Sequence, residues 1–143
     1  ARELTRPICQ KYGVTLYTDC RISTLVVDRD LICSALVNLI ENSAKASFPG
    51  GEIWLRAGET GFTVEDRGRG IPPQDLHRVT DPFYMGDPSR SKSTGGFGLG
   101  LALVREVALA HGGTLDLEST EGIGTTARIL LPGPNGNQTV MGR

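Results

Sequence analysis

A chain of 143 residues is the length of one domain, long enough to bury a core without disulfide or metal staples. Its 38% hydrophobic and 22% charged residues describe an ordinary water-soluble fold, and a net charge of −1 leaves no global pull towards nucleic acid or an anionic membrane. Cys9, Cys20 and Cys33 are odd in number and not spaced as a zinc site or disulfide framework, so they read as reduced thiols of a cytoplasmic domain. No signal peptide or membrane span is visible, since the most apolar stretch, residues 101–110, is broken by Arg105 and Glu106. The opening Ala1-Arg2-Glu3-Leu4, without Met, reads as a piece of a longer protein, with room for a membrane anchor elsewhere.

Residues 1–13 read as the end of an upstream helix stopped near Pro7. Residues 14–17 and 25–27 are short β-type runs expected in one sheet. From Asp30, a candidate N-cap, Ile32, Leu36, Leu39, Ile40 and Ala44 recur at helical steps until Phe48-Pro49-Gly50-Gly51 stops the pattern. At roughly 100° per residue, Asn38, Asn42 and Lys45 share the face opposite this apolar stripe. Two asparagines one turn apart are poor helix formers but present carbonyl oxygens, a ligand type that Mg²⁺ accepts; the alternative is a merely solvated face.

Residues 52–57 and 61–66 form a hairpin pattern around Gly58-Glu59-Thr60-Gly61. The period of two puts Asp66 on the apolar side with Phe62 and Val64. A buried, unpaired carboxylate is costly, so Asp66 needs a donor, and the loop through Gly68, Gly70, Ile71 and Pro72 is open enough to admit one. An acceptor there suits adenine, whose exocyclic amine donates, and opposes guanine, which presents a carbonyl oxygen. The alternative is that the strand ends earlier and leaves Asp66 an exposed turn former.

Residues 74–79 read as a short helix, followed by Asp81-Pro82-Phe83-Tyr84 and a polar, Ser-rich segment, residues 86–94, with the character of a mobile lid. Arg90 and Lys92 in this segment, with Arg67 and Arg69 earlier, make a basic set suited to a polyphosphate. Thr94-Gly95-Gly96-Phe97-Gly98-Leu99-Gly100-Leu101 then runs into a helix expected over residues 98–110. Backbone N–H groups of such a loop, joined by those of a helix N-terminus, form a phosphate cradle. The spacing fits neither the dinucleotide nor the P-loop template, and a flexible linker is the alternative. His111-Gly112-Gly113 stops the helix, residues 114–118 and 125–131 are the last two strands, and residues 133–143 are a frayed tail.

Taken together, these segments resemble the catalytic, ATP-binding domain of bacterial sensor histidine kinases, in the GHKL ATPase superfamily, over residues 14–132. Asn38-Leu39-Ile40-Glu41-Asn42-Ser43-Ala44-Lys45 looks like the family's N box, Asp66-Arg67-Gly68-Arg69-Gly70-Ile71 its first glycine box and Asp81-Pro82-Phe83-Tyr84 its F box. Gly96-Phe97-Gly98-Leu99-Gly100-Leu101 is similar to the second glycine box, and Gly122-Ile123-Gly124-Thr125-Thr126 to a further one. The resemblance implies a two-layer α/β (α+β) sandwich of the Bergerat type: a mixed, mostly antiparallel sheet covered on one face by helices, with ATP beneath a mobile lid. It implies that Asp66 accepts from the adenine amine, helped through water by Thr125 or Thr126, with Gly68, Gly70, Ile71 and Phe83 around the nucleotide. Asn42 would bind Mg²⁺, Asn38 would sit near the metal's hydration shell and the γ-phosphate, and Lys45 would contact phosphate oxygens. Gly96, Gly98, Leu99, Gly100 and Leu101 would hold the phosphates, with Lys92 near them.

Three positions depart from the family pattern. Ala46 stands where an aromatic residue is frequent, Phe97 where a small hydroxyl residue is, and Met85 where an arginine often follows the F-box aromatic, a charge for which Arg90 is the substitute candidate. The implied activity is transfer of the γ-phosphoryl of ATP to a histidine on a dimerisation domain, in cis or in trans, with a response regulator downstream. Neither His77 nor His111 has the surroundings of a phosphoacceptor, so that histidine is expected upstream of Ala1. The superfamily also contains ATP-driven conformational clamps and protein-serine kinases. Clamps typically carry a water-activating glutamate at the position of Asn38, which favours the histidine kinase reading.

Overall fold

A computed structural model describes residues 2–21, 27–76 and 100–132, which form α1 (Arg2–Tyr12), β1 (Thr15–Cys20), α2 (Arg29–Ala46), β2 (Glu52–Gly58), β3 (Gly61–Asp66), α3 (Pro73–Leu76), α4 (Gly100–Ala110), β4 (Thr114–Thr120) and β5 (Gly124–Leu130). The strands make one sheet in the order β1-β2-β3-β5-β4. Only the β1–β2 pair is parallel, joined through α2, and the other three pairs are antiparallel. This is the mixed sheet with helices on one face that the sequence leads one to expect.

Alternation along the strands decides which face is covered. Leu16, Ile53, Val64, Ala127 and Ile129 are buried in one core with Ile32, Leu36, Leu39 and Ile40 of α2 and Val104 and Val107 of α4. The opposite face carries Tyr17 stacked on Trp54, with ring centroids 5.9 Å apart and the Arg67 guanidinium 5.0 Å from the Trp54 centroid. Arg56 pairs there with Glu65, and Arg128 with Asp116 and Glu118. These exposed pairs contribute little to stability, so the core side holds the layers together.

Several boundaries differ from those read in the sequence. The first helix does not stop at Pro7 but runs through it to Tyr12, with Thr5 and Cys9 buried. Burial of that face outweighs the one backbone hydrogen bond that proline removes. Of the run at residues 25–27, only Val27 is described, and it lies in a bend, not a strand. The N-cap of α2 is Asp28, not Asp30: its Oδ1 accepts from the Leu31 N–H at 3.0 Å. His111 ties this end of α2 to the end of α4, accepting from the Asp28 N–H at Nε2 (2.9 Å) while Nδ1 meets the Val107 carbonyl (2.8 Å). Both ring nitrogens are occupied within the fold. No helix among the described residues is long and apolar enough to cross a membrane.

Replacing the α2 cap is expected to cost about 1 kcal/mol of unfolding free energy in Asp28→Ala and less in Asp28→Asn, which keeps a side-chain acceptor. Denaturant unfolding measures this, and an alanine variant as stable as the parent would show that the cap carries nothing.

Candidate functional site

Asp66 is the last residue of β3, paired on one side with Ile53 and on the other with Thr125. Its position in a central strand places it on the covered face, where it is only 4% exposed. Burial pushes its carboxyl above the ordinary carboxylate range, opposed by hydrogen bonds from the Gly68 N–H, the Ser43 hydroxyl and the Thr125 N–H. The Gly68 contact is 2.8 Å long. The expected buried acceptor is present, and the first glycine box supplies one of its donors.

The loop after Asp66 threads between the end of α2 and the β4–β5 turn. A Cβ on Gly68 would lie 2.3 Å from the Ala46 carbonyl oxygen, and one on Gly70, whose φ is +72°, would lie 2.2 Å from that of Thr120. No larger residue fits either place without moving backbone. The loop is then pinned on both flanks: the Arg69 N–H donates to Ala46 O (3.0 Å), the Gly122 N–H to Arg69 O (2.7 Å), and the Ile71 N–H to Ser119 Oγ (2.8 Å). Ser119 Oγ also contacts Thr125 Oγ1 at 2.8 Å. A rigid shelf results at the edge of the buried carboxylate.

Beneath this shelf lies a narrow cleft, with an interior of about 50 Å³, that opens to solvent. Leu39, Ala46, Ile71, Leu101, Leu117 and Ala127 make its walls mostly apolar, and Asn42, Ser43, Asp66, Arg69 and Thr125 are the polar groups among its lining. Apolar walls with a few placed polar atoms suit a flat heterocycle with polar edges.

At the neighbouring end, α4 begins against α2. A Cβ on Gly100 would stand 3.3 Å from Asn38 Oδ1 and 3.4 Å from Asn42 Nδ2, so the end of the second glycine box rests on the two asparagines. Asn38 Nδ2 donates back to the Ser34 carbonyl at 2.9 Å, which fixes the amide with its oxygen against Gly100. Asn42 Nδ2 is buried and lacks a hydrogen-bond partner among the described residues. Such a donor is open to an acceptor from outside the described residues.

The structure thus brings Asn38, Asn42, Asp66, Gly68, Gly70, Ile71, Gly100, Leu101 and Thr125 to one end of the domain. Lys45 is not among the cleft-lining residues; its Nζ lies 3.8 Å from Glu41 Oε2, along the helix surface. Thr126 belongs to the opposite sheet face, opposite Glu65 and Glu118, because neighbours along a strand point to opposite sides. Phe83, Arg90, Lys92, Gly96, Gly98 and Leu99, with the rest of the expected lid, lie outside the described residues. Two contributors escaped the sequence reading. Ser43 follows Asn42 but turns to the buried side, and Ser119 shares the face of Leu117 by the period of two, a signal that was available. Among the described residues no cluster of three His, Cys, Asp or Glu side chains could hold a metal by itself.

Residues 27–135 match the family described as histidine kinase-, DNA gyrase B-, and HSP90-like ATPase. The chain is 41% identical over 109 residues to the sensor-like histidine kinase SenX3 of Mycobacterium tuberculosis, covering 73% of this chain and 27% of that protein. It is 39% identical over 112 residues to the sensor histidine kinase WalK of Bacillus subtilis, covering 74% and 18%. The chain therefore spans about a quarter or less of these relatives. Among solved structures, the mycobacterial sensor histidine kinase MprB superposes with a TM-score of 0.73 at 32% identity, over 92% of this chain and 90% of that one. Full-length ShkA in complex with AMPPNP shares the fold, with a TM-score of 0.73 at 24% identity over 90% of this chain and 28% of that one. The chain belongs to the histidine kinase-, DNA gyrase B- and HSP90-like ATPase family, and the relatives it matches within it are sensor histidine kinases.

Proposed function

We propose that this domain binds ATP with Mg²⁺ and transfers the γ-phosphoryl group to a histidine on a dimerisation domain outside these 143 residues, from which a response regulator then receives it. The observation that carries this reading is the buried Asp66 carboxylate at the base of an apolar cleft whose other end runs to Asn42 and the start of α4. Asp66 would accept from the 6-amine of adenine, with Thr125 alongside. Leu39, Ile71 and Leu101 would cover the faces of the ring. The triphosphate would leave the cleft past Asn42 towards Gly100, the first described residue of α4, since a helix N-terminus suits an anion.

The amide pair fits a hard cation bound jointly with phosphate oxygens. Mg²⁺ keeps several waters and takes one or two protein oxygens, and turning the Asn42 amide about χ2 exchanges nitrogen for oxygen at the same place. When bound, the ion would neutralise charge on the transferring phosphate. Asn38 would orient what lies between the ion and the γ-phosphate. Lys45, 27% exposed at its side chain and loosely paired with Glu41, would be drawn to the phosphates as they arrive. Arg90 and Lys92 would supply further charge from the lid. A neutral imidazole is already a nucleophile, so the transfer needs position and charge neutralisation, not a strong base at Asn38.

Incubation of this domain with ATP, Mg²⁺ and a separate histidine-bearing dimerisation domain should put acid-labile phosphate on the partner. Steady hydrolysis without a partner would instead indicate a clamp-type ATPase.

Asp66→Asn should weaken ATP binding by about ten- to a hundredfold, the worth of a charge-assisted hydrogen bond, without lowering the unfolding midpoint at neutral pH. Because the folded carboxyl titrates above its unfolded value, its ionisation costs stability, a cost that grows as pH rises through that interval and that asparagine does not incur. ATP affinity should be full above the raised value and fall as pH drops through it, a dependence absent in Asp66→Asn. Calorimetry across pH measures both, and unchanged affinity in the variant would remove Asp66 from the base site.

Asn42→Ala should shift the Mg²⁺ dependence of phosphoryl transfer to higher metal concentration by about tenfold. A superimposable titration would place the metal elsewhere.

A further inference from the structure

The guanidinium of Arg69 carries an unmet donor among the described residues. The Arg69 backbone ties the glycine-box loop to α2 and to the β4–β5 turn, the residue is one of those lining the cleft, and Nη1 is shut off from solvent without a hydrogen-bond partner among the described residues. An unmet donor on a charged group disfavours the empty cleft unless a ligand atom completes it. Asp66 does not relieve it: among the described residues the carboxylate's partners are Gly68, Ser43 and Thr125, three donors that leave it room for one more, and Arg69 is not one of them. The same apolar slot therefore offers an acceptor from one residue and a donor from another, three positions apart on a loop pinned at both flanks.

Adenine carries the complementary pair on neighbouring atoms. Its 6-amine donates, and the ring nitrogens on either side, N1 and N7, accept. Guanine would turn a carbonyl oxygen towards Asp66. We propose that Arg69 is a specificity-determining residue that donates from Nη1 to the ring nitrogen flanking the 6-amine, so that the two residues read donor and acceptor together. This rests on the reading of the cleft as the adenine site. The aliphatic stem of Arg69 would cover part of the ring as the head group makes the contact.

The test is a binding comparison of the intact chain and Arg69→Met with ATP, 1-deaza-ATP and 7-deaza-ATP in the presence of Mg²⁺. One analogue should bind the parent about tenfold more weakly than ATP, and Arg69→Met should bring ATP down to that level while leaving that analogue unchanged. Should Arg69→Met lack a cooperative unfolding transition, Arg69→Gln, which keeps an N–H donor without the charge, takes its place, with the discrimination reduced. Two results overturn the proposal: equal binding of all three nucleotides by the parent, or equal weakening of all three by the variant, as a phosphate contact or a packing defect would give. A parent that binds no ATP, or an Asp66→Asn variant that binds it normally, removes the adenine site itself and is thereby told apart from a failure of Arg69 alone.

Discussion

A carboxylate held out of water at the end of a central strand is the constraint on which this end of the domain depends. Asp66 is flanked by strands on both sides, so bulk solvent does not satisfy it, and its partners come from three separate stretches: Gly68 after the strand, Ser43 on α2 and Thr125 on β5. Each partner also positions something else. Ser43 follows Asn42, Thr125 meets Ser119, and Ser119 holds Ile71. Meeting the needs of one buried acid thus assembles the cleft around it.

Glycines let the backbone come close enough for this. At Gly68 and Gly70 the loop passes within contact of the Ala46 and Thr120 carbonyls, and at Gly100 the start of α4 settles on the Asn38 and Asn42 amides. The first pair builds the shelf beside Asp66, and the third brings the first described residue of α4 to the two asparagine amides. Two glycine boxes that look alike in sequence thus do different work. One closes a loop against its neighbours, and the other keeps a side chain out of a narrow gap between helices.

Much of this was legible because hydrophobic period and buried polarity are local signals. The alternation of Phe62, Val64 and Asp66 gave both the strand and the misplaced carboxylate, and the helical recurrence from Ile32 to Ala44 gave α2 with its asparagines. What the chain order could not supply was the order of strands. Inserting β5 between β3 and β4 makes Thr125 the neighbour of Asp66 and sends Thr126 to the other side, a distinction of one residue set by register alone. The N-cap was misplaced for a similar reason. Asp28 and Asp30 are alike in type, and the packing of His111 against the Asp28 N–H, which joins residues 83 apart, is visible only once the helices are docked. Pro7 misled because propensity is local whereas burial of Thr5 and Cys9 is not.

The family places this chain among ATPases, and the geometry narrows where the base and the phosphates would lie. A crystal structure of the domain with a non-hydrolysable ATP analogue and Mg²⁺ tests that placement most directly. The account predicts the adenine amine within hydrogen-bond distance of the Asp66 carboxylate, with the phosphates running past Asn42 to the start of α4. A nucleotide seated on the open face of the sheet, or one whose base lies in the cleft without touching Asp66, would contradict it.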